Sequence, residues 1–297
     1  GEPTSAMQAH IGLMREYVSR GEHDQAVAEL TAAQHSRSEV SSDAMPVASL
    51  SLTQAMADVL TGRFSDAREA LEETHRIAAQ ADPGNPYSVG AATCLLSLRM
   101  LEGASAENLA ELRDMFQLHE IMNPSGPDVA LASLLRVMLN ESDRAHSDLQ
   151  MMVQGNFATL DPDGDNLGAL AAAAESCYRI QATDLAPSVL TAISPWNGAI
   201  PFHVTGVYGS TYRHVGLRES LLGRQEEAAR HLAEAIKMNE RMGARPYTAL
   251  CQLDLAQLIL THGDEPDRAQ SLLSEARATF VDLGMDHYAE LTSELQV

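Results

Sequence analysis

The sequence predicts an all-α fold, namely a right-handed superhelical solenoid of about seven helical hairpins with a C-terminal capping helix. Two observations favour this fold. Apolar residues make up 45% of the 297 residues but aromatic residues only 4%, which is typical of closely packed helices rather than of a β-sandwich. In addition, one short pattern recurs at intervals of roughly 37 to 42 residues, a period found in stacked helical repeats.

The recurring pattern is a helix-ending residue that is followed, in most copies, by a small residue at position +5, a leucine at +9 and a further residue of the same helical face at +12. Glycine or asparagine at the first position permits the left-handed backbone that ends a helix. Steps of four and three residues keep the later positions on one face of the next helix. Each copy therefore predicts a helix, a tight turn and a second helix. The copies begin at Gly21, Gly62, Gly103, Asn140, Gln181, Gly223 and Gly263.

Most copies carry a small residue at +5 and all carry a leucine near +9. The third copy, Gly103, Asn108, Leu112 and Met115, is weaker at one position, because Asn108 stands at +5. Loops rich in proline, glycine and aspartate separate the copies, and none has the composition of an interdomain linker. Since one hairpin cannot bury its apolar face alone, we expect one helical-repeat domain over residues 1–297, with residues 286–297 as the capping helix.

The sixth copy favours the tetratricopeptide type over a HEAT or armadillo stack, whose period is similar. Its first helix carries Tyr212 and Gly216, and its second carries Ala228, Leu232 and Ala235. This order resembles the tetratricopeptide consensus of an aromatic residue, a small residue, alanine, a large residue and alanine. The fold class is therefore expected to be tetratricopeptide-like.

The charge and the cysteines limit the classes of function. The chain has 41 acidic against 20 basic residues, a formal net charge of −21, which argues against direct binding to nucleic acid or to an anionic membrane. Cys94, Cys177 and Cys251 lie far apart in apolar contexts, so they are expected to be buried free thiols of a reducing compartment. No stretch is long and apolar enough to span a bilayer. We expect a cytoplasmic protein, and a fragment of a longer chain because no initiator methionine is present.

About the last 90 residues carry a family resemblance. Its residues are the runs Leu222–Leu232, Asn239–Pro246 and Leu255–Leu260, followed by Gly263 and by Leu283 to Met285. They resemble the C-terminal tetratricopeptide-like region of large ATP-binding (STAND) bacterial regulators, of the LuxR type related to the maltose regulator. A similar region occurs in some class III nucleotide cyclases.

The resemblance implies a solenoid that senses an inducer or a protein partner, preceded by an NTPase and, in the LuxR type, followed by a helix-turn-helix. This sequence contains no GxxxxGK[ST] phosphate loop and no basic recognition helix after residue 285. Binding of NTP and of DNA would therefore belong to other segments of such a regulator.

The stretch from Pro195 to His214 is the most unusual in composition, because it concentrates aromatic residues and interrupts helical regularity with three glycines. One interpretation is the wall of a pocket, in which ring faces stack on a sugar or another ring and polar tips orient it. The alternative is a long connection whose aromatic side chains fill a gap between units. The candidate residues are Trp196, Phe202, His203, Tyr208, Tyr212 and Arg213.

The inner face of the last two units is the second candidate. Such faces form grooves for peptides or amphipathic helices, although an apolar inner face fits packing within the superhelix or dimerisation equally well. The residues expected on this face are Ser210, Arg213, Leu217 and Ser220 in the sixth unit, and Leu250, Leu253, Gln257 and Leu260 in the seventh.

Motifs of catalysis and metal binding are missing from the sequence. The triad Asp161, Asp163 and Asp165 lacks the glycine and glutamate of a calcium loop, because Asn166 and Ala172 stand there. No HExxH, zinc spacing or GxSxG occurs, and His231 is expected to be structural or solvated rather than catalytic. We therefore predict a protein that is not an enzyme and that needs no cofactor or metal.

These observations predict the sensor or protein-interaction domain of a bacterial multidomain signalling or transcriptional regulator. Its expected partner is a protein or peptide, or a small-molecule inducer, with no direct contact to nucleic acid or membrane. A free-standing peptide-binding scaffold, the regulatory region of a nucleotide cyclase, and a homodimer remain open as alternatives. The residues predicted to bind are Trp196, Phe202, His203, Tyr208, Tyr212, Arg213, Leu217 and Gln257.

Overall fold

The structure is a computed structural model that describes residues 2–37, 44–81, 85–103, 108–110, 112–114, 116, 126–157, 160, 166–263 and 265–295. These residues form seven successive helical hairpins, units 1 to 7, and one further helix. Units 1 to 3 are α1 (Glu2–Arg20) with α2 (His23–Ser36), α3 (Ala44–Thr61) with α4 (Phe64–Ala81), and α5 (Pro86–Glu102) with the helical residues 108–110, 112–114 and 116. Units 4 and 5 are α6 (Gly126–Met138) with α7 (Ser142–Gln154), and α8 (Leu167–Arg179) with α9 (Ala186–Ile193). Units 6 and 7 are α10 (Thr211–Leu221) with α11 (Gln225–Arg241), and α12 (Arg245–His262) with α13 (Pro266–Leu283), and α14 (Asp286–Leu295) follows.

The turn predicted inside each unit is confirmed at all seven positions. The five glycines at these positions have φ between 72° and 91°. The two other residues also have a left-handed backbone, with φ of 60° at Asn140 and 56° at Gln181. Asparagine reaches this region at small cost, whereas glutamine does so only when the surrounding structure holds it there. At Gln181 the main-chain N–H donates to the carbonyl of Tyr178, 3.0 Å away.

The ladder of small residues is confirmed in six units and is wrong in unit 3. The alanine at +5, or at +6 in unit 7, is buried in each of the other six units, and Ala67 and Ala145 are completely inaccessible. In unit 3, however, Asn108 is exposed, and its neighbour Leu109 is buried together with Leu112 and Phe116. Spacings of three and four residues place these three on one helical face, so the buried face starts one residue later than predicted. Met115 lies outside the described residues.

The superhelix closes on itself, because units of its first half touch units five places later. A Cβ atom added at Gly21 of unit 1 would lie 3.1 Å from Met238 Cε of unit 6. One added at Gly62 of unit 2 would lie 2.8 Å from Leu283 Cδ2 of unit 7. The turn of unit 3 meets α14 in the same way, at His287. We call this line of contacts the seam.

A non-helical segment fills the space that the first helices of the units enclose. Residues 197–210, the lumen segment, follow a short 3-10 turn and form two tiny antiparallel strands, β1 (Phe202–His203) and β2 (Gly206–Val207). The strands contact α1, α3, α5 and α8, all of them first helices of their units. The lumen is therefore occupied by the chain's own backbone.

Side chains of the surrounding helices hydrogen-bond to the main chain of the lumen segment. Thr93 Oγ1 on α5 donates to the Val204 carbonyl, and Tyr247 Oη on α12 donates to the Val207 carbonyl at 2.6 Å. The main-chain N–H of Ser210 donates to Asn239 Oδ1 on α11 at 3.0 Å. Because buried peptide groups need such partners, these bonds fix the path of the segment.

The core runs through all units and contains the three cysteines as free, buried thiols, as predicted. Burial raises the pKa of the Cys94 thiol to about 12, so it is protonated and unreactive at neutral pH. Among the described residues, no helix combines the length and the apolar character that crossing a membrane requires.

Candidate functional site

The sequence-predicted residues fall into three separate places in the structure. Phe202, His203 and Tyr208 belong to the lumen segment. Trp196 and Tyr212 lie where that segment leaves α9 and enters α10. The remaining three are on the first helices of units 6 and 7. Leu217 and Gln257 line one cavity, and Arg213 lies beside it, where it donates to the lining residue Asp254.

The aromatic residues of the lumen segment serve the core. Tyr208 is completely buried and Phe202 is 5% exposed, so their ring faces pack against protein rather than line an open pocket. Burial also raises the pKa of the Tyr208 hydroxyl above its ordinary value. The position of both rings agrees with the alternative interpretation, in which aromatic side chains fill a gap between units.

A second cluster holds the junction between the lumen segment and unit 6. The rings of Tyr212 and His231 stack with centroids 5.9 Å apart, and Gly198 has no room for a side chain because a Cβ would lie 3.0 Å from the Tyr212 ring. His231 Nδ1 is 2.5 Å from Glu219 Oε2. Trp196 is partly exposed and packs against the core of units 4 and 5. His231 is thus part of the packing, as expected.

The inner face of units 6 and 7 is mostly packed, with an open end. Of the residues predicted there, the ones near the start of each helix are buried against neighbouring helices, and those in the last turns reach solvent. The buried ones are Ser210, Arg213, Leu217, Leu250 and Leu253, and the partly exposed ones are Ser220, Gln257 and Leu260. Packing and groove interpretations therefore apply to different parts of the same face.

Arg213 is the centre of a buried charge network that joins three units. Its Nε donates to Asp254 Oδ2 on α12 and its Nη1 donates to Glu175 Oε2 on α8, each at 2.6 Å. Glu175 Oε1 in turn accepts from Arg179 Nε at 2.8 Å. Arg213, Glu175 and Asp254 are each at least nine-tenths buried. Since a buried charge is stable only when it is paired and hydrogen-bonded, this network fixes the relative position of units 5, 6 and 7.

The pKa values of the two carboxyl groups in the network are shifted in opposite directions. Although burial favours the neutral acid, Arg213 and then Arg179 hold the pKa of Glu175 well below its ordinary value. Asp254 has fewer cations around it, so burial raises its pKa despite Arg213. The negative charge of Asp254 is therefore less well compensated than that of Glu175.

A cavity of ≈ 190 Å³ opens beside Asp254. Its walls are the last turns of α8, α10 and α12 with the beginning of α11. Leu217 and Gln257, which the sequence pattern placed on the inner face, both line it. The complete lining is Tyr178, Leu217, Ser220, Gln225, Leu232, Asp254, Gln257, Leu258, Thr261 and His262.

Arg218 stands behind this cavity as a second buried arginine. It is completely inaccessible, its Nη1 donates to the Ala174 carbonyl, and its guanidinium lies 5.6 Å from the centroid of the Tyr178 ring. Within the described part of the chain, its Nε and Nη2 have no hydrogen-bond partner. Burial lowers the pKa of this guanidinium, yet a group of this type stays charged at neutral pH.

Sequence reasoning missed Glu175, Asp254 and Tyr178. Glu175 had a usable signal, because it is the lone acid in the alanine-rich helix α8, and a single charge in such a helix has to find a buried partner. Asp254 stands among apolar residues of α12 in the same way. Neither signal identifies Arg213 as the shared partner, since 38 and 41 residues separate it from the two acids.

Metal binding finds no support in the described residues, where no group of three or more His, Cys, Asp or Glu side chains is arranged to hold an ion. Asp161, Asp163 and Asp165 lie outside those residues.

Comparison with known proteins addresses the fold. No protein-family model matches the chain, and no curated protein matches it. Several solved structures match the chain, of which two are given. One is a Rap protein complexed with competence and sporulation factor, with 14% identity and a TM-score of 0.48 over 99% of this chain and 70% of that chain. The other is a tetratricopeptide repeat protein from Parabacteroides merdae ATCC 43184, with 15% identity and a TM-score of 0.34 over 82% of this chain and 97% of that chain.

The chain is a tetratricopeptide-like helical-repeat solenoid. The seven hairpins and their left-handed turns define this fold, and the two similarities, with TM-scores of 0.48 and 0.34, add no argument to it.

Proposed function

We propose that this chain is the protein-interaction module of a bacterial multidomain signalling regulator, and that a partner polypeptide docks where units 5, 6 and 7 surround the cavity. The observation that carries the proposal is the cavity itself, because Leu217 and Gln257 line it together on a rigid network of buried charges. Sites held by such networks keep their geometry, which favours specific recognition.

The filled lumen supports this location. A long peptide cannot lie along the enclosed inner face while residues 197–210 occupy it, since Val207, Tyr208 and Ser210 are completely buried there. The last turns of α8, α10 and α12 are the part of the inner helices that stays open. A partner that inserts a single anchoring side chain at this opening needs no rearrangement of the solenoid.

The regulator context rests on the resemblance of the last two units to ATP-binding LuxR-type regulators. We infer that the complete gene encodes an NTPase before these units and a helix-turn-helix after them, so that docking biases a switch between two states of the whole protein. Reading the gene on both sides tests this part directly. A phosphate loop upstream with a helix-turn-helix downstream is the expected result. A cyclase domain, or no further domain, contradicts it.

Docking is tested by site-specific photo-crosslinking in the producing cells. A benzoylphenylalanine placed at Gln257 reports contacts at the rim of the cavity, and one placed at the exposed Gln270 on α13 is the matched control. We expect a discrete protein adduct from position 257 that is weak or absent from position 270. Mass spectrometry then maps the captured segment, and the purified partner has to bind the isolated solenoid.

Equal adducts from the two positions, or none from position 257, would overturn the proposal. Circular dichroism and thermal melting of both variants ensure that a missing adduct reflects missing contact rather than misfolding.

A further inference from the structure

The lining of the cavity beside Asp254 combines leucine side chains with polar groups that include one carboxylate, two amides and His262, and it contains no arginine or lysine. Asp254 brings a carboxylate that is 7% exposed, and only its Oδ2 is engaged by Arg213. Gln225 adds an amide oxygen that is buried and has no hydrogen-bond partner in the described part of the chain. Unsatisfied buried acceptors are costly, and a donor that reaches them is favoured.

The size of the cavity limits its occupant to a small group. Sites for drug-sized ligands measure about 300 to 1,000 Å³, whereas an apolar cavity of about 150 Å³ holds a benzene ring. At ≈ 190 Å³, this cavity fits the end of one long side chain.

The backbone around the cavity favours positive charge. Tyr178, Ser220 and Thr261 stand in the last turns of α8, α10 and α12. The C-terminal end of a helix carries a partial negative charge, and residues from the last turns of three helices line this one space. The chain as a whole carries a net charge of −21, which attracts cations over longer distances.

The neighbouring arginines oppose a cation, but neither of them lines the cavity. Arg213 is shared between Glu175 and Asp254. Arg218 donates to the Ala174 carbonyl, does not line the cavity, and lies over the ring of Tyr178. The same ring also lines the cavity, and an aromatic face attracts a guanidinium or ammonium group.

We propose that this cavity binds an alkylguanidinium or alkylammonium group, which would donate to Asp254 and to the amide oxygens of Gln225 and Gln257. The group belongs either to an arginine or lysine side chain of a partner segment or to a free amine or guanidine of the same chemistry. The first alternative rests on the function proposed above, and the second is independent of it.

The test is a titration of the purified chain, followed by methyl NMR at Leu217 and Leu258, with Leu13 as a distant reference. The probes are ethylguanidinium, a capped Gly-Gly-Arg-Gly-Gly peptide, and the same peptide with citrulline, which is the neutral isostere of arginine. A group this small is expected to bind with a Kd roughly in the millimolar range. We expect shifts at Leu217 and Leu258 with both cations and none with citrulline.

Gln257→Lys is the decisive variant because it leaves the Arg213 network intact and brings a tethered ammonium to the cavity. It should weaken binding at least about tenfold through occupancy and charge repulsion. Gln270→Lys makes the same change of charge on the exposed face of α13 and should leave binding unaltered.

Each outcome decides between the alternatives. If the arginine peptide binds at least about tenfold more tightly than ethylguanidinium, the group comes from a polypeptide; with any smaller advantage, or none, it comes from a small molecule. Citrulline binding as well as arginine, equal effects of the two lysine variants, or no shift with any probe would overturn the proposal. In the last case, a crosslink from position 257 would still support protein docking with a partner of different chemistry.

Discussion

Tyr288 on α14 donates a hydrogen bond to the main-chain carbonyl of Met100 on α5, 3.1 Å away, although 188 residues separate the two. The same hydroxyl accepts from Arg179 Nη2 at 2.9 Å. Arg179 pairs with Glu175, which pairs with Arg213. A continuous relay of hydrogen bonds therefore runs from the cavity to the seam where the two turns of the superhelix meet.

Tyr288→Phe tests the contribution of this relay to stability. Removing the hydroxyl leaves the Met100 carbonyl and one Arg179 donor without their partner, and the expected loss in the free energy of unfolding is about 1 to 3 kcal/mol. The matched control is Tyr17→Phe on α1, a partly buried tyrosine, which should change stability by less than about 0.5 kcal/mol. Urea unfolding measures both. Equal losses would contradict a role for the hydroxyl at the seam.

Gly168→Ala tests the packing of the lumen segment on α8. A Cβ at Gly168 would lie 2.7 Å from the Thr205 carbonyl oxygen, so the substitution should cost about 1 to 3 kcal/mol of overpacking strain. Gly12→Ala on α1 is the control, because nothing lies within 4 Å of its added Cβ. Alanine in a helix should stabilise there by about 0.5 to 1 kcal/mol. If both substitutions stabilise the protein in thermal and urea unfolding, the segment does not rest on α8.

His214 is expected to cause part of the dependence of the free energy of unfolding on pH. Burial lowers the pKa of His214 from 6.5 to about 3. Repulsion from Arg213 and Arg218 adds to this shift, and Glu175 opposes it. The unfolded chain therefore takes up this proton first, and the stability that His214 contributes above pH 6.5 is lost as the pH falls. Between pH 7.5 and 5.0 this loss should amount to about 2 kcal/mol.

The His214→Gln variant should lack this component, so its unfolding free energy should fall by about 2 kcal/mol less than that of the wild type over the same interval. His35→Gln, at an exposed histidine on α2, should keep the wild-type dependence. A slope unchanged in His214→Gln would show that this histidine does not bind its proton differently on unfolding.

The repeat architecture could be predicted from the sequence because local chemistry determines it. Left-handed turns favour particular residues, and a helical face needs steps of three and four. The spacing of the helical face predicts helix ends at Asn140 and Gln181 as well, although neither is a glycine. Unit 3 shows the limit of this approach. Its leucines fit two registers that differ by one residue, and the burial of Leu109 in place of Asn108 depends on the neighbouring units.

The site could be predicted only in part. Leu217 and Gln257 follow from helical periodicity, and the structure places both on the cavity. The lumen segment and the Arg213 network could not be derived, because each depends on the closure of the superhelix and on partners far away along the chain. Aromatic residues such as Tyr208 look alike in a sequence whether they line a pocket or fill a core, and only the burial in the folded chain separates the two.

We propose that a partner docks at the cavity by inserting a cationic group. The most direct measurement combines the photo-crosslinker at position 257 with increasing ethylguanidinium. We expect the yield of the protein adduct to fall as the small cation saturates the cavity, whereas the citrulline peptide, which has no guanidinium group, should have no effect. An adduct at position 257 whose yield stays constant up to saturation, or falls equally with the citrulline peptide, would contradict it.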